Sequence, residues 1–208
     1  MIRITEPGRL RLAVLASGRG SNFTAICQAI DEGRLDAEIV VVISDKKEAP
    51  VLEKARNRNI DHYHIALQDY PDKAAYELEI IKKLQAYDIQ LVVLAGYMRL
   101  VGKELLETYK WKIINIHPAL LPAFPGLDAQ QQAVDYGVRF SGCTVHFVDD
   151  GVDSGPIILQ RVVEVLPDDT ADTLSERILQ QEHQVYAEAL QLFAEGKVYL
   201  KQRKVVIK

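Results

Sequence analysis

Cysteine is scarce in this chain, and its two copies are far apart. Cys27 and Cys143 form no CxxC pair, so neither a disulfide framework nor a thiolate metal site is indicated. No apolar run approaches the roughly 18 residues of a membrane-spanning helix, and the run Leu12–Ala16 is too short for a secretory signal. These absences predict reduced thiols, a cytoplasmic location and no membrane partner.

Basic residues are not in excess either. The chain has 25 Lys and Arg against 29 Asp and Glu, which gives a net charge of −4. Proteins that bind along a nucleic-acid duplex need a basic surface, so this balance argues against a nucleic-acid partner. A small cationic pocket for a single phosphate is still compatible with it.

The 208 residues contain no internal repeat, low-complexity tract or linker, and 48% of them are hydrophobic. A chain of this length can bury a large core without a disulfide or a metal, so we expect a single domain over residues 1–208. Apolar runs alternate with helical patterns, which is typical of an α/β protein. The fold class predicted is an open, mostly parallel twisted sheet of about seven strands with helices on both faces.

The strongest strand signals are three near-continuous runs of Val, Ile and Leu at Leu10–Ala16, Glu38–Ile43 and Ile89–Leu94. Such runs are typical of strands that are buried on both faces, and we expect the last to be central. Apolar residues at helical spacing from Phe23 onwards predict a helix that Gly33 closes.

Two further helices have clear starts. Thr170 is expected to cap a long final helix that runs towards Glu195. Another helix should begin near Pro71, a favourable first-turn residue. This helix is expected to bury three apolar residues, Leu78, Ile81 and Leu84.

A glycine-rich turn, Ser17–Asn22, separates the first strand from the first helix. Glycine lets the backbone approach a ligand closely, and the helix start offers free N–H groups at the positive end of its dipole. Ser21 and Asn22 add side-chain donors, and Asn22 could also cap the helix, so the turn suits a phosphate. Because Phe23 replaces the third glycine of a dinucleotide fingerprint and no Lys completes a P-loop, a tight capped turn without a ligand is the alternative.

Asn115 and His117 lie two residues apart at the end of the predicted strand Lys112–Ile116, just before a proline-rich loop. Because side chains alternate along a strand, both should point to the same side. A histidine and a carboxamide that converge can donate two hydrogen bonds to a developing oxyanion, as acyl transfer requires. The alternative is a structural histidine at a strand end.

The acidic turn Asp149–Gly155 lies between two more predicted strands. Its Asp153 could pair with His117 and favour the protonated ring, or hold a water that relays a proton. The alternative is a solvated turn rich in Asp and Gly. The ligand spacing of a calcium loop is absent and no metal is expected. His146, in the strand before this turn, is interpreted as a core or near-site residue.

Taken in order, these clusters resemble the phosphoribosylglycinamide formyltransferase family, over nearly the whole chain from about Leu12 to Gly196. Each stretch alone is a weak signal, whereas all of them in this order are highly specific. The matching stretches are Ser17–Asn22, Leu94–Arg99, Ile114–Pro122, Phe124–Gly126, Val145–Val148 and Asp153–Ile158.

The resemblance implies an enzyme of purine synthesis that passes a formyl group from 10-formyltetrahydrofolate to the amine of glycinamide ribonucleotide. It implies a Rossmann-like, phosphate-binding half at about residues 1–100 and a catalytic, folate-binding half at about 101–208. Asn115, His117 and Asp153 match the catalytic trio of the family.

The resemblance also implies binding roles for individual residues. The substrates are expected to be small molecules, and the protein is expected to be a monomer or a homodimer. Gly20, Ser21 and Asn22 would hold the phosphate of the ribonucleotide, and Glu182 would contact its glycinamide and ribose end. The Leu121–Pro122 peptide bond would be cis. The residues implied for the folate, with Lys73 near its glutamate tail, are Lys73, Met98, Arg99, Leu100, Val101, Asn115, Asp149 and Asp153.

Two positions depart from the family pattern. Gln130 stands where family members carry His, and Asp128 occupies a site where a carboxamide or imidazole is usual. Both should lie beside the pocket, so the support of Asp153 is expected to differ here.

Three other functions share parts of this pattern. Methionyl-tRNA formyltransferase carries an added RNA-binding domain, and formyltetrahydrofolate hydrolase carries a regulatory domain and lacks this glycine-rich loop; neither extra domain is expected in this chain. The alternative of another class is a non-catalytic dinucleotide-binding module, in which Gly18 and Gly20 form the cofactor turn and Asp45 binds the ribose. The missing third glycine and the pair of Asn115 with His117 count against it.

Overall fold

The computed structural model describes all residues from 1 to 208 and contains two β-sheets. The strands in chain order are β1 (Ile2–Arg3), β2 (Leu10–Leu15), β3 (Ala37–Ser44), β4 (Asp61–His64), β5 (Leu91–Leu94), β6 (Ile113–His117), β7 (Phe140–Phe147), β8 (Ile157–Glu164), β9 (Val198–Lys201) and β10 (Lys204–Ile207). The α-helices are α1 (Ser21–Asp31), α2 (Pro50–Asn57), α3 (Lys73–Gln85), α4 (Lys103–Thr108), α5 (Ala129–Tyr136) and α6 (Ala171–Ala194).

The larger sheet has seven strands in the order β4-β3-β2-β5-β6-β7-β8. Its strands from β4 to β6 are parallel, whereas β7 and β8 continue the sheet in antiparallel pairing. β5, whose residues are all buried, is the middle strand of the seven. The predicted fold class and the predicted central strand are therefore confirmed.

Helices cover both faces of this sheet. A core of 38 buried residues lies on the face of α1, α2, α5 and α6, and a core of 14 buried residues lies on the face of α3 and α4. Because strands inside such a sheet contact apolar groups on both sides, their sequences are continuous rather than alternating. This packing explains the runs of Val, Ile and Leu in β2 and β3.

The start and one buried position of α3 differ from the prediction. The Asp72 carboxylate caps the helix by accepting a hydrogen bond from the Ala75 N–H, so the helix begins at Lys73 rather than at Pro71. Leu78 was expected to be buried, and this was wrong, because its side chain is 53% exposed. The buried stripe instead comprises Tyr76, Glu77, Ile80, Ile81 and Leu84, and Leu78 projects from another side of the helix.

The second sheet was not predicted. It has the antiparallel order β1-β9-β10 and joins Ile2 to Leu200 at the far end of the chain. A two-residue strand gives no local pattern, so only its long-range partner defines it. None of the helices combines the length and the apolar character that crossing a bilayer requires.

Candidate active site

A cleft of about 750 Å³ lies beside the carboxyl ends of β5 and β6. Open parallel sheets bind their ligands at this end of the strands. The cleft is lined by the loop after β5, the loop after β6 and the loop after β7. Its lining includes every residue predicted to bind the folate, namely Lys73, Met98, Arg99, Leu100, Val101, Asn115, Asp149 and Asp153.

Several apolar side chains in the lining of the cleft are exposed to water. The side chains of Met98, Leu100, Leu127 and Val152 all line it and are between 50% and 76% exposed. Apolar groups that stay in contact with water around a concave site are typical of a surface that a ligand covers.

The antiparallel pairing of β6 with β7 determines which side chains meet in the cleft. The register sets Asn115 opposite His146 and His117 opposite Thr144. Because directly opposite residues and residues two apart share a face, Asn115, His117 and His146 project from the same side of the sheet, and all three line the cleft.

Asp153 reaches these three side chains from a loop that starts at the opposite end of β6. The loop after β7 begins beside Ile114, at the opposite end of β6 from His117. The loop folds back over the sheet, so that Asp153 Oδ2 lies 3.3 Å from His117 Nδ1 and Oδ1 lies 3.7 Å from His146 Nε2. The Gly126 N–H donates a 2.8 Å hydrogen bond to Asp153 Oδ2. The structure therefore brings the predicted trio together.

Both ring nitrogens of His117 face acceptors. Nε2 lies 2.8 Å from the carbonyl oxygen of Phe124, and Nδ1 faces the carboxylate of Asp153 at 3.3 Å. The side chain is 5% exposed, so water does not compete for these contacts. A ring between two acceptors matches a histidine that carries a proton on each nitrogen.

The loop that carries Asp153 is organised by its own first residue. Asp149 Oδ1 accepts a hydrogen bond from Ser154 Oγ at 2.6 Å and one from the Gly151 N–H at 3.3 Å. A Cβ at Gly155 would collide with the carbonyl oxygen of Phe147, so this tight return towards the sheet requires glycine. These contacts define the conformation of the loop and therefore the position of Asp153 beside the cleft.

The glycine-rich turn at the start of α1 has no side-chain cap. Gly20 is the N-cap residue with φ 68°, a left-handed conformation that favours glycine, and the helix starts at Ser21. The expectation that Asn22 caps the helix was wrong, because the N-cap residue is Gly20, two residues earlier, and Asn22 already lies within the first helical turn. The first turn contains no acidic residue, so its N–H groups and the positive end of the dipole stay uncompensated.

Asn22 instead joins α1 to α6. Its Nδ2 donates a 2.9 Å hydrogen bond to Glu182 Oε2, and both side chains are buried. Burial raises the pKa of Glu182 above its usual range, and the hydrogen bond from Asn22 opposes this shift. Asn22 Oδ1 is buried without a partner. The residues predicted for the ribonucleotide thus form a second polar group, outside the lining of the cleft.

The cleft and this second polar group are connected through the loops after β2 and β5. The Ser17 N–H donates to the carbonyl oxygen of Gly96, and the Met98 N–H donates to Ser17 Oγ, both at 2.9 Å. The glycine-rich turn and the wall of the cleft are therefore direct neighbours.

Asp45, the ribose ligand of the dinucleotide-binding alternative, is already engaged. Its Oδ2 lies 2.8 Å from Nε of Arg99, and its side chain is only 1% exposed. A buried carboxylate that is paired with a guanidinium does not present both oxygens to a ribose. The geometry at this position therefore counts against a dinucleotide site.

The positions that depart from the family pattern lie beside the trio but do not contact it. Asp128 is the N-cap residue of α5, and Gln130 Nε2 lies 3.5 Å from Ser175 Oγ on α6. Asp153 is supported by backbone of the preceding loop instead, through Gly126. Backbone groups leave no side-chain signal in a sequence, which is why Gly126 and the carbonyl of Phe124 were not predicted as supports.

Two further observations concern the surroundings of the site. The Leu121–Pro122 peptide bond is cis, as the resemblance implied. No group of three or more His, Cys, Asp or Glu side chains lies close enough together to hold a metal ion.

Comparisons with known proteins agree with this geometry. The chain matches the formyl transferase family over residues 10–190. It is 47% identical over 176 residues to a phosphoribosylglycinamide formyltransferase of Bacillus subtilis, which covers 85% of this chain and 90% of the relative. It is 42% identical to the trifunctional purine biosynthetic protein adenosine-3 of Drosophila pseudoobscura pseudoobscura, over 93% of this chain but only 14% of that protein.

A solved structure extends the likeness to the backbone. The crystal structure of glycinamide ribonucleotide transformylase 1 from Symbiobacterium toebii superposes with a TM-score of 0.94 at 50% identity. The match covers 96% of this chain and 94% of that one. By sequence and by structure, the chain therefore belongs to the phosphoribosylglycinamide formyltransferase family.

Proposed function

We propose that this chain transfers the formyl group of 10-formyltetrahydrofolate to the amine of N1-(5-phospho-D-ribosyl)glycinamide, as a cytoplasmic enzyme of purine biosynthesis. The observation that carries the proposal is the convergence of Asn115, His117 and Asp153 in a single cleft that also gathers all the residues expected to bind the folate. The ribonucleotide would lie between this cleft and the glycine-rich turn, which are neighbours through Ser17.

The folate would occupy the cleft along its length. The pterin would pack against the backbone of residues 98–101 and the loop of Asp149–Gly155, where the exposed apolar side chains lie. Lys73 would offer its ammonium group to the carboxylates of the glutamate tail. Arg99 contributes through its backbone, because its guanidinium is bound to Asp45.

The ribonucleotide phosphate would lie at the start of α1. The free N–H groups of Ser21 and Asn22 and the positive end of the helix suit a dianion, and Gly20 allows its close approach. Glu182 would accept hydrogen bonds from the glycinamide and ribose end of the substrate. Its carboxylate already lies 2.9 Å from the Asn22 amide.

In the reaction, the neutral amine attacks the formyl carbon, and the carbonyl oxygen becomes anionic. Asn115 and His117 donate hydrogen bonds to this oxygen. The contact of His117 with Asp153 is the longer of its two, at 3.3 Å against 2.8 Å, so it is the one that substrate can share. The bond from the formyl carbon to the folate nitrogen then breaks.

Two protons move in this scheme. His117 gives one to the departing folate nitrogen, and Asp153 takes one from the attacking amine through a water. A proton passed from Asp153 back to His117 restores both groups. No covalent intermediate with the protein forms.

The test is an assay of formyl transfer with purified protein. We expect N-formyl product and tetrahydrofolate in equal amounts when both substrates are present, and activity that survives exhaustive chelation. Release of formate without the ribonucleotide would instead indicate a hydrolase. Binding of NAD without any transfer would indicate the dinucleotide-binding module, and either result would contradict the proposal.

A further inference from the structure

His146 contacts two members of the trio and has no role in the scheme above. It is 2% exposed and lies directly opposite Asn115 in the antiparallel pair of β6 with β7. Its Nε2 lies 3.3 Å from Asn115 Nδ2 and 3.7 Å from Asp153 Oδ1. Because buried polar groups are almost always hydrogen-bonded, the partners of this ring indicate its role.

The proton on His146 can be placed from its neighbours. Nδ1 lies 2.8 Å from the carbonyl oxygen of Phe147, which can only accept, so Nδ1 carries the hydrogen. In the neutral ring Nε2 is then an acceptor. The group that faces it at hydrogen-bond distance is the amide nitrogen of Asn115, which can only donate.

We infer that His146 is a positioning residue, whose neutral ring accepts one N–H of the Asn115 amide and so leaves the other N–H free for the formyl oxygen. A carboxamide has two orientations of nearly equal shape, and turning it over exchanges its donor for its acceptor. With Oδ1 against the lone pair of Nε2, two acceptors would face each other in a buried place. The ring therefore selects the orientation that an oxyanion needs. This inference rests on the proposed formyl transfer.

The surroundings of His146 favour its neutral form. Burial lowers the pKa of His146, and the charge of His117 acts in the same direction. The carbonyl of Phe147 and the carboxylates of Asp153 and Asp149 oppose this shift without reversing it. A protonated ring would place an N–H against the Asn115 amide N–H, so the amide would have to turn over and withdraw its donor.

A double-mutant cycle separates this role from simple packing. His146→Leu removes the acceptor at similar volume, and we expect kcat to fall by at least about tenfold, up to the about 10²–10³ of losing one oxyanion donor. His146→Gln, whose side-chain oxygen can replace Nε2, should recover most of the rate. In an Asn115→Ala background, His146→Leu should cause no further loss, because the amide that it orients is gone.

Folding is checked with a control on the other face of the same strand. Val145 is fully buried in the larger core, so Val145→Ala should lower the melting temperature and leave kcat unchanged. An equal loss from His146→Leu with and without Asn115 would show a packing effect and overturn the inference. So would a wild-type kcat for folded His146→Leu while Asn115→Ala is impaired. A wild-type kcat for Asn115→Ala would overturn both the inference and the catalytic assignment beneath it.

If His146→Leu does not fold, the pH dependence of His146→Gln decides. Wild-type kcat should fall towards acid pH as the ring of His146 gains its second proton, and the His146→Gln variant should retain a larger fraction of its rate there. Asn115→Ala should lack this difference, whether or not His146 is replaced. If kcat falls by the same fraction towards acid pH in wild type and in His146→Gln, the positioning role is contradicted.

Discussion

The parallel and the antiparallel parts of the large sheet contribute to the site in different ways. In the parallel part, the loop after β2 presents backbone N–H groups, with Gly20 as an N-cap residue that has no side-chain cap. Where the antiparallel part begins, at the pair of β6 with β7, the two strands present side chains, with Asn115 directly opposite His146. The first arrangement suits binding of a fixed charge, and the second suits stabilisation of a charge that develops during reaction.

The physical reason lies in strand direction. Parallel neighbours send their loops to the same edge, where helix starts and glycines collect, and the strands themselves are buried on both sides. Antiparallel neighbours pair residues one to one, so a polar side chain can be held by its cross-strand partner. Substitutions in the two parts should therefore separate into effects on KM and effects on kcat.

The largest effect is expected from Asn115→Ala and His117→Ala. Each removes a donor to a charge that exists only in the transition state, so kcat should fall about 10²–10³-fold while KM for both substrates changes little. Steady-state kinetics on variants with wild-type circular dichroism provides the measurement. A rise in KM at constant kcat would show that these side chains bind substrate. The expected separation, with effects on KM from the parallel part of the sheet and effects on kcat from the antiparallel part, would then be wrong.

Asp153→Asn should lower kcat by about 10²-fold, since it keeps the shape of the loop but removes the charge that faces His117. The carboxamide oxygen can still accept the hydrogen bond from the Gly126 N–H, so the fold of the loop should persist. Asp150→Asn removes the same charge from the same loop and is the matched control, with kcat near that of wild type. If both variants behave alike, Asp153 is only a turn residue.

In the parallel part, Gly20→Val should raise KM for the ribonucleotide about tenfold or more and leave KM for the folate nearly unchanged. A Cβ at Gly20 would lie 2.7 Å from Val51 Cγ2, and the φ of 68° costs a non-glycine residue about 1–2 kcal/mol. Gly18→Ala is the control, because no atom lies within 4 Å of the added Cβ. Equal effects on both substrates would mean that the turn has a structural role only.

The smallest effect concerns stability. The pKa of Glu182 is raised above its ordinary 4.5 by burial, so this group contributes stability below pH 4.5 that is lost as pH rises through the folded-state pKa. Glu182→Gln, which never ionises, should be more stable than wild type at pH 7 by about 1 kcal/mol and indistinguishable from it at pH 4. KM for the ribonucleotide should rise.

Chemical denaturation at the two pH values measures this difference. Glu176→Gln, on an exposed position of the same helix, is the control and should show no such difference between the two pH values. A Glu182→Gln variant that is less stable at pH 7 would show that the contact with Asn22 outweighs the cost of burying the charge.

Local patterns in the sequence were sufficient for the architecture and for part of the site. Continuous apolar runs revealed β2, β3 and β5, because a strand covered on both faces cannot carry polar side chains. Thr170 was recognised as the cap of α6, and its side chain accepts the hydrogen bond from the Thr173 N–H. Alternation along β6 placed Asn115 and His117 on a common side. Their catalytic roles stay predictions.

Tertiary structure decided the rest, because distances between remote residues depend on strand register and on how loops close. The contact of Asp153 with His117 needs a loop that leaves β7 at the far end of β6 and folds back over the sheet. The pairing of Asn115 with His146 depends on the register between β6 and β7, which brings together two residues that are 31 apart in the chain. Periodicity in a sequence reports only neighbours within a few residues, whereas register follows from packing both faces of the sheet at once.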